Sequence, residues 1–354
     1  MNRRTFLKAS AALAAASPRM TPTVIAADAA APALARAPRS AFSKRLRGVG
    51  RILELDGWNV WCCSPIFGPD GKVHVFYARW PGTHDNWLTH SEIAHAVADR
   101  PEGPYTDRGT ILKGRGGDHW DADTIHNPTI HRIGNRYALF YIGNNLADAK
   151  RRGVHHSGSQ RIGLALADSI DGPWQRVNGD GLILDTAKDA KAWDSYLTTN
   201  PALFVHPNGE FWLYYKAWDR ANDNMRKMGV AVSKKIEGPY ERSPLNPLVS
   251  FAAQKKQVED AYVWREGGTY YMLMRDMGVI HPHVGLLLTS ADGLKWSAPE
   301  LGYETSDHYF PGEKVQRFER PQILMQDGKA RYVFLALMGG RTGTSSAAVL
   351  RIDD

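Results

Sequence analysis

Cysteines and long apolar runs are scarce in this chain of 354 residues. Its only cysteines, Cys62 and Cys63, are neighbours, and neighbouring residues can close only a strained disulfide ring. Adjacent thiols also lack the spacing that zinc ligands use. We therefore expect Cys62 and Cys63 to be buried and unpaired rather than part of a disulfide, a metal site or a catalytic centre.

Net charge is almost absent once the first 47 residues are set aside. Nine of the 44 Lys and Arg residues, but one of the 37 Asp and Glu residues, lie in residues 1–47, which leaves 35 basic against 36 acidic residues in 48–354. This balance gives no reason to expect nucleic acid as a partner. No linker divides residues 48–354, so we predict one domain preceded by a basic segment, 32–47. The oligomeric state is not indicated.

The N-terminus carries an apolar run, residues 9–16, that is too short for a permanent membrane anchor. The run follows Arg3 and Arg4, which belong to a twin-arginine signature with Phe, Leu and Lys at the expected offsets. We predict that residues 1–31 form a signal peptide that is removed by cleavage between residues 26 and 31. Export by this route carries folded proteins, so we expect a periplasmic protein.

The most informative feature of the chain is a repeated unit. Five times, an apolar strand is followed by a turn containing glycine, an aromatic-rich strand and a shorter apolar strand. A regular period of about 60 residues is typical of repeat architectures, and turn residues between such strands predict hairpins. The turn glycines are Gly71, Gly134, Gly209, Gly268 and Gly328, which lie 63, 75, 59 and 60 residues apart.

The repeat predicts an all-β fold, a five-bladed β-propeller with blades of about four antiparallel strands. A pair of β-sandwiches is the alternative, but sandwiches do not require one unit five times. Residues 51–55 are expected to add an outer strand to the last blade and close the ring. The inner strands are predicted near residues 60–66, 126–131, 199–204, 259–264 and 319–324.

Polar residues recur where the predicted inner strands begin, around the propeller axis. Together with tryptophan faces, they predict a carbohydrate-binding pocket. Taken singly, each Asn-Pro pair can also be a strand-entry turn whose Asn side chain bonds the backbone. The ring would contain Asn59, Asn127, Asn200, Asp260 and Glu319 or Arg320. The other expected substrate-binding residues are Trp58, Trp61, Trp264, Asp85, His126, Lys216 and Arg275.

Acidic residues are the candidates for catalysis. Glu259 and Asp260 begin an otherwise apolar strand, where acids are costly unless they face a wet cavity. Neighbours on a strand point to opposite faces, so one acid would face the pocket and the other would brace it. Asp121 and Asp123 precede the second inner strand, where a solvated loop is the alternative. Asp85 follows a second strand and is expected near the mouth of the pocket.

The order of these motifs resembles that of five-bladed propeller proteins in glycoside hydrolase families 43 and 117, over residues 58–337. The resemblance implies an inverting, exo-acting glycosidase that acts on plant or algal oligosaccharides. It also implies a base on the first blade, an acid on a later blade and a third carboxylate that tunes the acid. A histidine has also been considered as the acid in family 117. The motifs are residues 58–66, 91–96, 120–121, 126–130, 172–174, 200–202, 259–260 and 319–322.

The first inner strand departs from this scheme because it has no carboxylate where the family base is expected. The resemblance therefore gives the acid position to Glu259 or Asp260, and we assign the base to Asp121, Asp123 or Asp85. A bound Ca²⁺ on the axis is implied only by the resemblance, and no metal-ligand spacing in the sequence is diagnostic.

Thirteen histidines support a different enzyme class. A polysaccharide lyase would use His and Tyr to abstract a proton beside a uronate, whose carboxylate Arg79, Lys216, Arg275 or Arg320 could hold. The same fold could also serve a phosphorylase or a non-catalytic carbohydrate-binding propeller.

Overall fold

The computed structural model describes residues 38–313 and 315–354. These residues form five antiparallel sheets, which confirms the five-bladed β-propeller. The signal peptide and its predicted cleavage site lie outside the described residues. Within the described ranges, no helix is both long and apolar enough to cross a membrane.

The strands follow one another from the axis outward in each blade, with a single exception at the N-terminus. That exception is β1 (Leu46–Leu53). Blade 1 contains β2 (Trp58–Phe67), β3 (Val73–Pro81), β4 (Glu92–Ala98) and β5 (Thr106–Leu112). Blade 2 contains β6 (Thr124–Ile133), β7 (Arg136–Asn144) and β8 (Arg161–Ala167), with two short outer strands, β9 (Gln175–Arg176) and β10 (Leu182–Leu184).

The remaining blades have four strands each. Blade 3 contains β11 (Leu197–Val205), β12 (Phe211–Trp218), β13 (Lys227–Ser233) and β14 (Glu241–Arg242). Blade 4 contains β15 (Gln257–Glu266), β16 (Thr269–Met277), β17 (Gly285–Ser290) and β18 (Glu300–Tyr303). Blade 5 contains β19 (Arg317–Gln326), β20 (Lys329–Met338), β21 (Ser346–Ile352) and β1.

Short helices occur only in the connections of the described chain. The α-helices are Ala41–Lys44, Trp87–His90, Leu146–Arg151 and Ser306–Tyr309. The 3₁₀ helices are His84–Asn86, His156–Ser159, Val177–Gly179 and Ala252–Gln254.

The ring closes through β1, which pairs antiparallel with β21. The predicted closing strand is thus confirmed, and it begins earlier than expected, at Leu46. Phe42 and Leu46 are buried in the core cluster of blades 4 and 5. The basic segment, where the structure describes it, therefore packs onto the propeller.

The aromatic second strands fill the spaces between blades. Phe76 of β3 shares a core cluster with Tyr141 of β7, and Phe140 of β7 shares the next cluster with Tyr215 of β12. Each buried aromatic side chain removes about 150–250 Å² from water, so the repeated aromatic strand stabilises each interface between blades.

The inner strands β2, β6, β11, β15 and β19 contact one another in a ring around the axis. Each carries a bulge, where its pairing with the second strand shifts in register. One residue of each bulge has a left-handed backbone, with φ between 49° and 65°. Asn and Asp adopt this conformation more readily than most residues. The five residues are Cys62, Asn127, Asn200, Asp260 and Arg320.

Candidate active site

The five bulge residues bond to one another across the axis, and we call them the axial ring. Asn127 Nδ2 donates to Asn200 Oδ1 at 3.2 Å, and Asn200 Nδ2 donates to Asp260 Oδ1. The Arg320 backbone N–H donates to Asp260 Oδ2 at 3.2 Å, and Arg320 Nε donates to Cys62 Sγ at 3.2 Å. Cys62 Sγ donates to a backbone carbonyl of blade 2 at 3.4 Å. A bulge re-aims a side chain, and here it aims five of them at one point.

A cavity of about 430 Å³ lies against the axial ring. Ligand pockets measure about 300–1,000 Å³, so this one suits a small ligand. Four tryptophans, Trp61, Trp80, Trp87 and Trp218, supply apolar faces. The polar residues of its lining are His84, His126, Asn127, His155, Ser157, Gln160, Thr199, Asn200, Lys216, Arg226, Glu259, Asp260, Arg275, Arg317, Glu319 and Arg320.

Glu259 is held as a carboxylate by three cations. Lys216 Nζ lies 2.7 Å from Glu259 Oε2, Arg226 Nε lies 3.5 Å from the same oxygen, and Arg275 bonds Glu259 Oε1. Burial opposes ionisation, but the three cations outweigh it and hold the pKa of Glu259 well below its usual range. A carboxylate in this state is a poor proton donor, so these surroundings do not favour Glu259 over the other acids for the predicted acid role.

Glu319 has the opposite tendency in the same cavity. Burial and the neighbouring carboxylates Glu259 and Asp260 raise its pKa, although Arg275 and Arg317 oppose the shift. Arg275 Nη1 lies 3.0 Å and Arg317 Nε 2.5 Å from Glu319 Oε1. Arg275 therefore bridges one carboxyl group whose pKa is lowered and one whose pKa is raised.

The third carboxylate of the cavity is Asp260 of the axial ring, which is buried. Its Oδ1 and Oδ2 accept the bonds from Asn200 and Arg320 given above, and Arg320 Nη1 lies 3.5 Å from Oδ1. Glu259, Asp260 and Glu319 each place an oxygen within 4.8 Å of the others. The cavity thus concentrates three acids from blades 4 and 5.

Histidine and tryptophan side chains also line the cavity. A His126 ring nitrogen lies 3.2 Å from the Gln160 side-chain nitrogen, and the Trp87 ring meets His126 edge-on. Burial lowers the pKa of His126 to about 3, so this imidazole is neutral at pH 7. Burial also lowers the pKa of His84, whose ring packs against Trp61. These groups are polar but uncharged at neutral pH.

Ten of the sixteen predicted site residues line this cavity, and the remaining six do not. Trp264 is buried in the core, stacked on Tyr271. Trp58 lies outside the lining with the Arg79 guanidinium over its ring. Asp85 is exposed on the 3₁₀ helix His84–Asn86. The ten that line the cavity are Trp61, His126, Asn127, Asn200, Lys216, Glu259, Asp260, Arg275, Glu319 and Arg320.

Asn59 is not part of the axial ring; Cys62 takes its place. The Asn59 side chain donates to the Gly82 carbonyl at 2.9 Å and accepts from the Ser345 backbone N–H at 2.9 Å. The bond from Ser345 joins the first inner strand to the last blade, so Asn59 stabilises ring closure. The expectation placed the polar position three residues too early, because the bulge is not visible in strand alternation alone.

Asp121 and Asp123, the expected bases, lie outside the cavity lining. Asp121 is fully buried against Arg115 Nε at 2.6 Å and Arg176 Nε at 2.7 Å, and Tyr141 donates to it at 3.1 Å. Asp123 is exposed and accepts a backbone N–H of the helix Leu146–Arg151. Neither is placed to act on a ligand in the cavity.

Blade 3 repeats the arrangement around Asp121. Arg242 Nε lies 2.5 Å from Asp194 Oδ2, and Tyr215 donates to the same oxygen at 2.8 Å. In both blades the tryptophan before the aspartate stacks on the tyrosine, Trp120 on Tyr141 and Trp193 on Tyr215. Recurrence in two blades indicates that this Trp-Asp pair is part of the scaffold. Comparing the repeats with one another would have revealed it.

Ten lining residues were not predicted. Trp80 and Trp218 lie at or near the ends of β3 and β12, beside the starts of inner strands. This position could have been used to predict that both tryptophans line the cavity. Arg317 begins β19, two residues before Glu319. The loop residues carry no signal in the sequence. The ten are Trp80, His84, Trp87, His155, Ser157, Gln160, Thr199, Trp218, Arg226 and Arg317.

The carboxylate cluster does not fit a Ca²⁺ ion. Three carboxylate oxygens within 4.8 Å offer suitable ligands. However, Lys216 and Arg275 already bond Glu259, and Arg275 and Arg317 bond Glu319. A divalent cation here would meet cations on most sides.

Comparison with known proteins gives one match for the N-terminal signal sequence and other matches for the propeller. Residues 1–17 match the family described as "TAT (twin-arginine translocation) pathway signal sequence". This match indicates export and supports the signal peptide that the sequence predicts.

The propeller is similar to known glycosidases at low identity. It is 26% identical over 201 residues to a "Probable arabinan endo-1,5-alpha-L-arabinosidase A" of Emericella nidulans, a stretch covering 55% of this chain and 54% of that protein. The chain thus spans about half the length of this curated relative.

Two solved structures illustrate the likeness of the fold. A family 117 glycoside hydrolase produced by the marine bacterium Zobellia galactanivorans has a TM-score of 0.64 and 17% identity, covering 87% of this chain and 90% of that one. A GH43 beta-xylosidase/alpha-arabinofuranosidase from a compost microbial metagenome has a TM-score of 0.55 and 16% identity, covering 89% and 94%. The chain therefore has the five-bladed propeller fold of glycoside hydrolase families 43 and 117, as its motifs indicated.

Proposed function

We propose that this protein is a glycoside hydrolase that removes a terminal sugar from an oligosaccharide bound in the axial cavity. The observation that carries the proposal is the meeting of Glu259, Asp260 and Glu319 in one cavity, where contacts with three cations lower the pKa of Glu259 and burial raises that of Glu319. Two carboxyl groups with separated pKa values supply the proton donor and the anion that glycoside cleavage needs. The tryptophan faces and the small volume support exo action on a single terminal unit.

We assign the three acids separate roles. Glu319 is the general acid, because it holds a proton more readily than an ordinary glutamic acid. Glu259 is the carboxylate that tunes it, since its fixed negative charge helps to raise the pKa of Glu319. Asp260 is the remaining carboxylate, and we assign it the role of base or nucleophile. The first blade has Cys62 at its position in the axial ring and so offers no carboxylate there. We therefore assign to Asp260 the role of the carboxylate that the family scheme expects on the first blade.

The spacing of the acids bears on the stereochemical outcome. The carboxyl groups of inverting glycosidases are about 6.5–9.5 Å apart, and those of retaining enzymes about 5–5.5 Å. The acid oxygens here lie within 4.8 Å. Inversion, which the family resemblance implies, needs room for a water molecule between Asp260 and the sugar. Retention makes Asp260 the nucleophile, and NMR of the first-formed anomer distinguishes the two.

The test of hydrolysis is a screen of α- and β-linked aryl glycosides and plant or algal oligosaccharides. We expect release of reducing ends without an unsaturated product and without dependence on phosphate. An unsaturated uronate absorbing in the near ultraviolet would instead show a lyase. Among the described residues, no tyrosine lines the cavity, which disfavours a His and Tyr lyase mechanism. Binding of sugars without turnover of any substrate would leave a binding propeller.

We also propose that the exported protein resides in the periplasm. The leader match supports export by the twin-arginine route, which depends on the arginine pair itself. Replacing Arg3 and Arg4 by Lys preserves charge and should keep the protein in the cytoplasm. Undiminished delivery of the double variant to the periplasm, measured by cell fractionation, would contradict this route.

A further inference from the structure

The axial cavity carries an excess of positive charge. Five Lys and Arg side chains line it, against three carboxylates. Over the propeller as a whole the two signs nearly balance, since residues 48–354 contain 35 basic and 36 acidic residues. A proton on Glu319 would increase the excess. The cations are Lys216, Arg226, Arg275, Arg317 and Arg320.

Several of these cations have hydrogen-bond donors left over. Arg226 Nε, Arg275 Nε and both terminal nitrogens of Arg320 are buried and make no hydrogen bond to any described residue. Arg320 itself is only 1% exposed. Buried guanidinium groups normally satisfy their donors, because an unbonded buried donor is costly. The free donors belong to side chains that face the cavity.

The ion pairs around Glu259 do not account for this surplus. Lys216, Arg226 and Arg275 all contact Glu259, and Arg275 also contacts Glu319, so three cations meet two carboxylates before Arg317 is counted. Withdrawing extra positive charge from water is unfavourable unless a negative charge is supplied nearby. A bound anion would supply that charge, and carboxylate oxygens match the fork of an arginine.

We propose that the terminal sugar taken by the axial cavity carries an anionic substituent, and that it is a uronate whose carboxylate binds the cavity arginines. The proposal deepens the proposed function, because it concerns the same cavity and names the class of sugar. Arg226 and Arg317 are the arginines best placed to meet an entering ligand, since their side chains are 29% and 27% exposed.

The test is calorimetric binding to the wild-type protein, using monosaccharides that contain no bond to hydrolyse. Glucuronate and galacturonate should bind about tenfold or more tightly than glucose and galactose, and added salt should weaken only the acidic sugars. The methyl esters of the two uronates are matched controls, with nearly the same shape and no charge. Equal affinity for the acids, their esters and the neutral sugars would overturn the proposal.

Sulfated sugars separate the two sources of negative charge. Galactose 6-sulfate should bind more weakly than galacturonate if the arginines are arranged for a carboxylate. Tighter binding of the sulfate would overturn the assignment to a uronate.

Two variants locate the effect in the cavity. Arg226→Gln and Arg317→Gln should each weaken uronate binding about tenfold more than they weaken the binding of the neutral sugars. Arg136→Gln is the matched control, since Arg136 pairs with Glu237 on the exterior, outside the cavity lining. Equal loss in the control variant would contradict a cavity site.

The outcomes for binding and hydrolysis are independent. Uronate binding without hydrolysis of any glycoside would remove the proposed function and keep the anionic ligand. Hydrolysis of neutral glycosides without uronate affinity would keep the hydrolase and remove the acidic sugar.

Discussion

Asp121 in blade 2 and Glu319 in blade 5 are both buried acids that contact two arginines, yet their surroundings differ in kind. Asp121 lies outside the axial cavity and forms ion pairs with Arg115 and Arg176. Glu319 faces the cavity and shares Arg275 with another acid, Glu259. Burial with an ion pair is therefore common to scaffold and site, and the crowding of acids on a cavity is what distinguishes the site.

The repeat sharpens this distinction. The arrangement around Asp121 recurs at Asp194 with the same residue types, tyrosine, arginine and a stacked tryptophan. The carboxylate cluster of Glu259, Asp260 and Glu319 is the single group of its kind among the described residues. The arrangement that recurs in blades 2 and 3 lies outside the cavity and serves the fold, whereas the carboxylate cluster lies on the cavity and forms the candidate site.

The largest expected effect is on turnover, at Glu319. Glu319→Gln keeps the shape of the side chain and removes its proton, so we expect kcat on oligosaccharides to fall about 10²–10⁴-fold. Urea unfolding should show little loss of stability, because an amide can replace a carboxyl group beside Glu259. Turnover like that of the wild type would remove Glu319 as the acid.

The next effect is on stability, at Asp121. Asp121→Ala leaves Arg115 and Arg176 without their partner, which should lower the free energy of unfolding by about 3–5 kcal/mol. Asp194→Ala is the matched variant in blade 3 and should behave alike. Both should retain kcat at temperatures where they stay folded. A large loss of kcat in folded Asp121→Ala would restore this residue as a candidate catalyst.

Most of the fold could be predicted because its determinants are local. Turn glycines such as Gly71, with φ of +76°, and the alternating aromatic strands after them can be read along the chain. The closing strand is predictable for the same reason, as an apolar run left over before the first unit.

The site could be predicted in part because its inner-strand residues recur at equivalent positions. The sequence does not reveal how charges pair between blades. Lys216 and Glu259 are 43 residues apart, and their 2.7 Å contact decides the ionisation of the expected acid. The bulge geometry that replaces Asn59 by Cys62 in the axial ring is likewise set by strand pairing rather than by alternation.

The pH dependence of activity tests the environment of Glu319. Its protonated form is the active acid, so kcat/KM should fall as the pH rises through its pKa, which lies above the usual glutamic acid range. Arg317 lowers that pKa, so Arg317→Gln should raise it further and move the alkaline limb to higher pH. If Arg317→Gln still turns over substrate and its alkaline limb lies at the same pH as that of the wild type, a group other than Glu319 controls the limb.

The smallest expected effect concerns Asn59. Asn59→Ala removes the bonds to Gly82 and Ser345, which should cost about 1–3 kcal/mol in unfolding free energy. Because Asn59 lies outside the cavity lining, KM should not change. Asn200→Ala is the contrasting variant, since Asn200 lines the cavity and should alter KM as well as stability. A change in KM for Asn59→Ala would restore it as a substrate-binding residue.

The central claim is that Glu319 donates the proton to the departing sugar, and leaving-group dependence tests it most directly. Glu319→Gln and the wild type would be compared on aryl glycosides of one sugar, from alkyl-substituted phenols to dinitrophenol. Dinitrophenolate departs without protonation, so its rate should be nearly preserved, while the poorest leaving group should lose about 10²–10⁴-fold. An equal loss across the whole series would contradict the assignment of Glu319 as the acid.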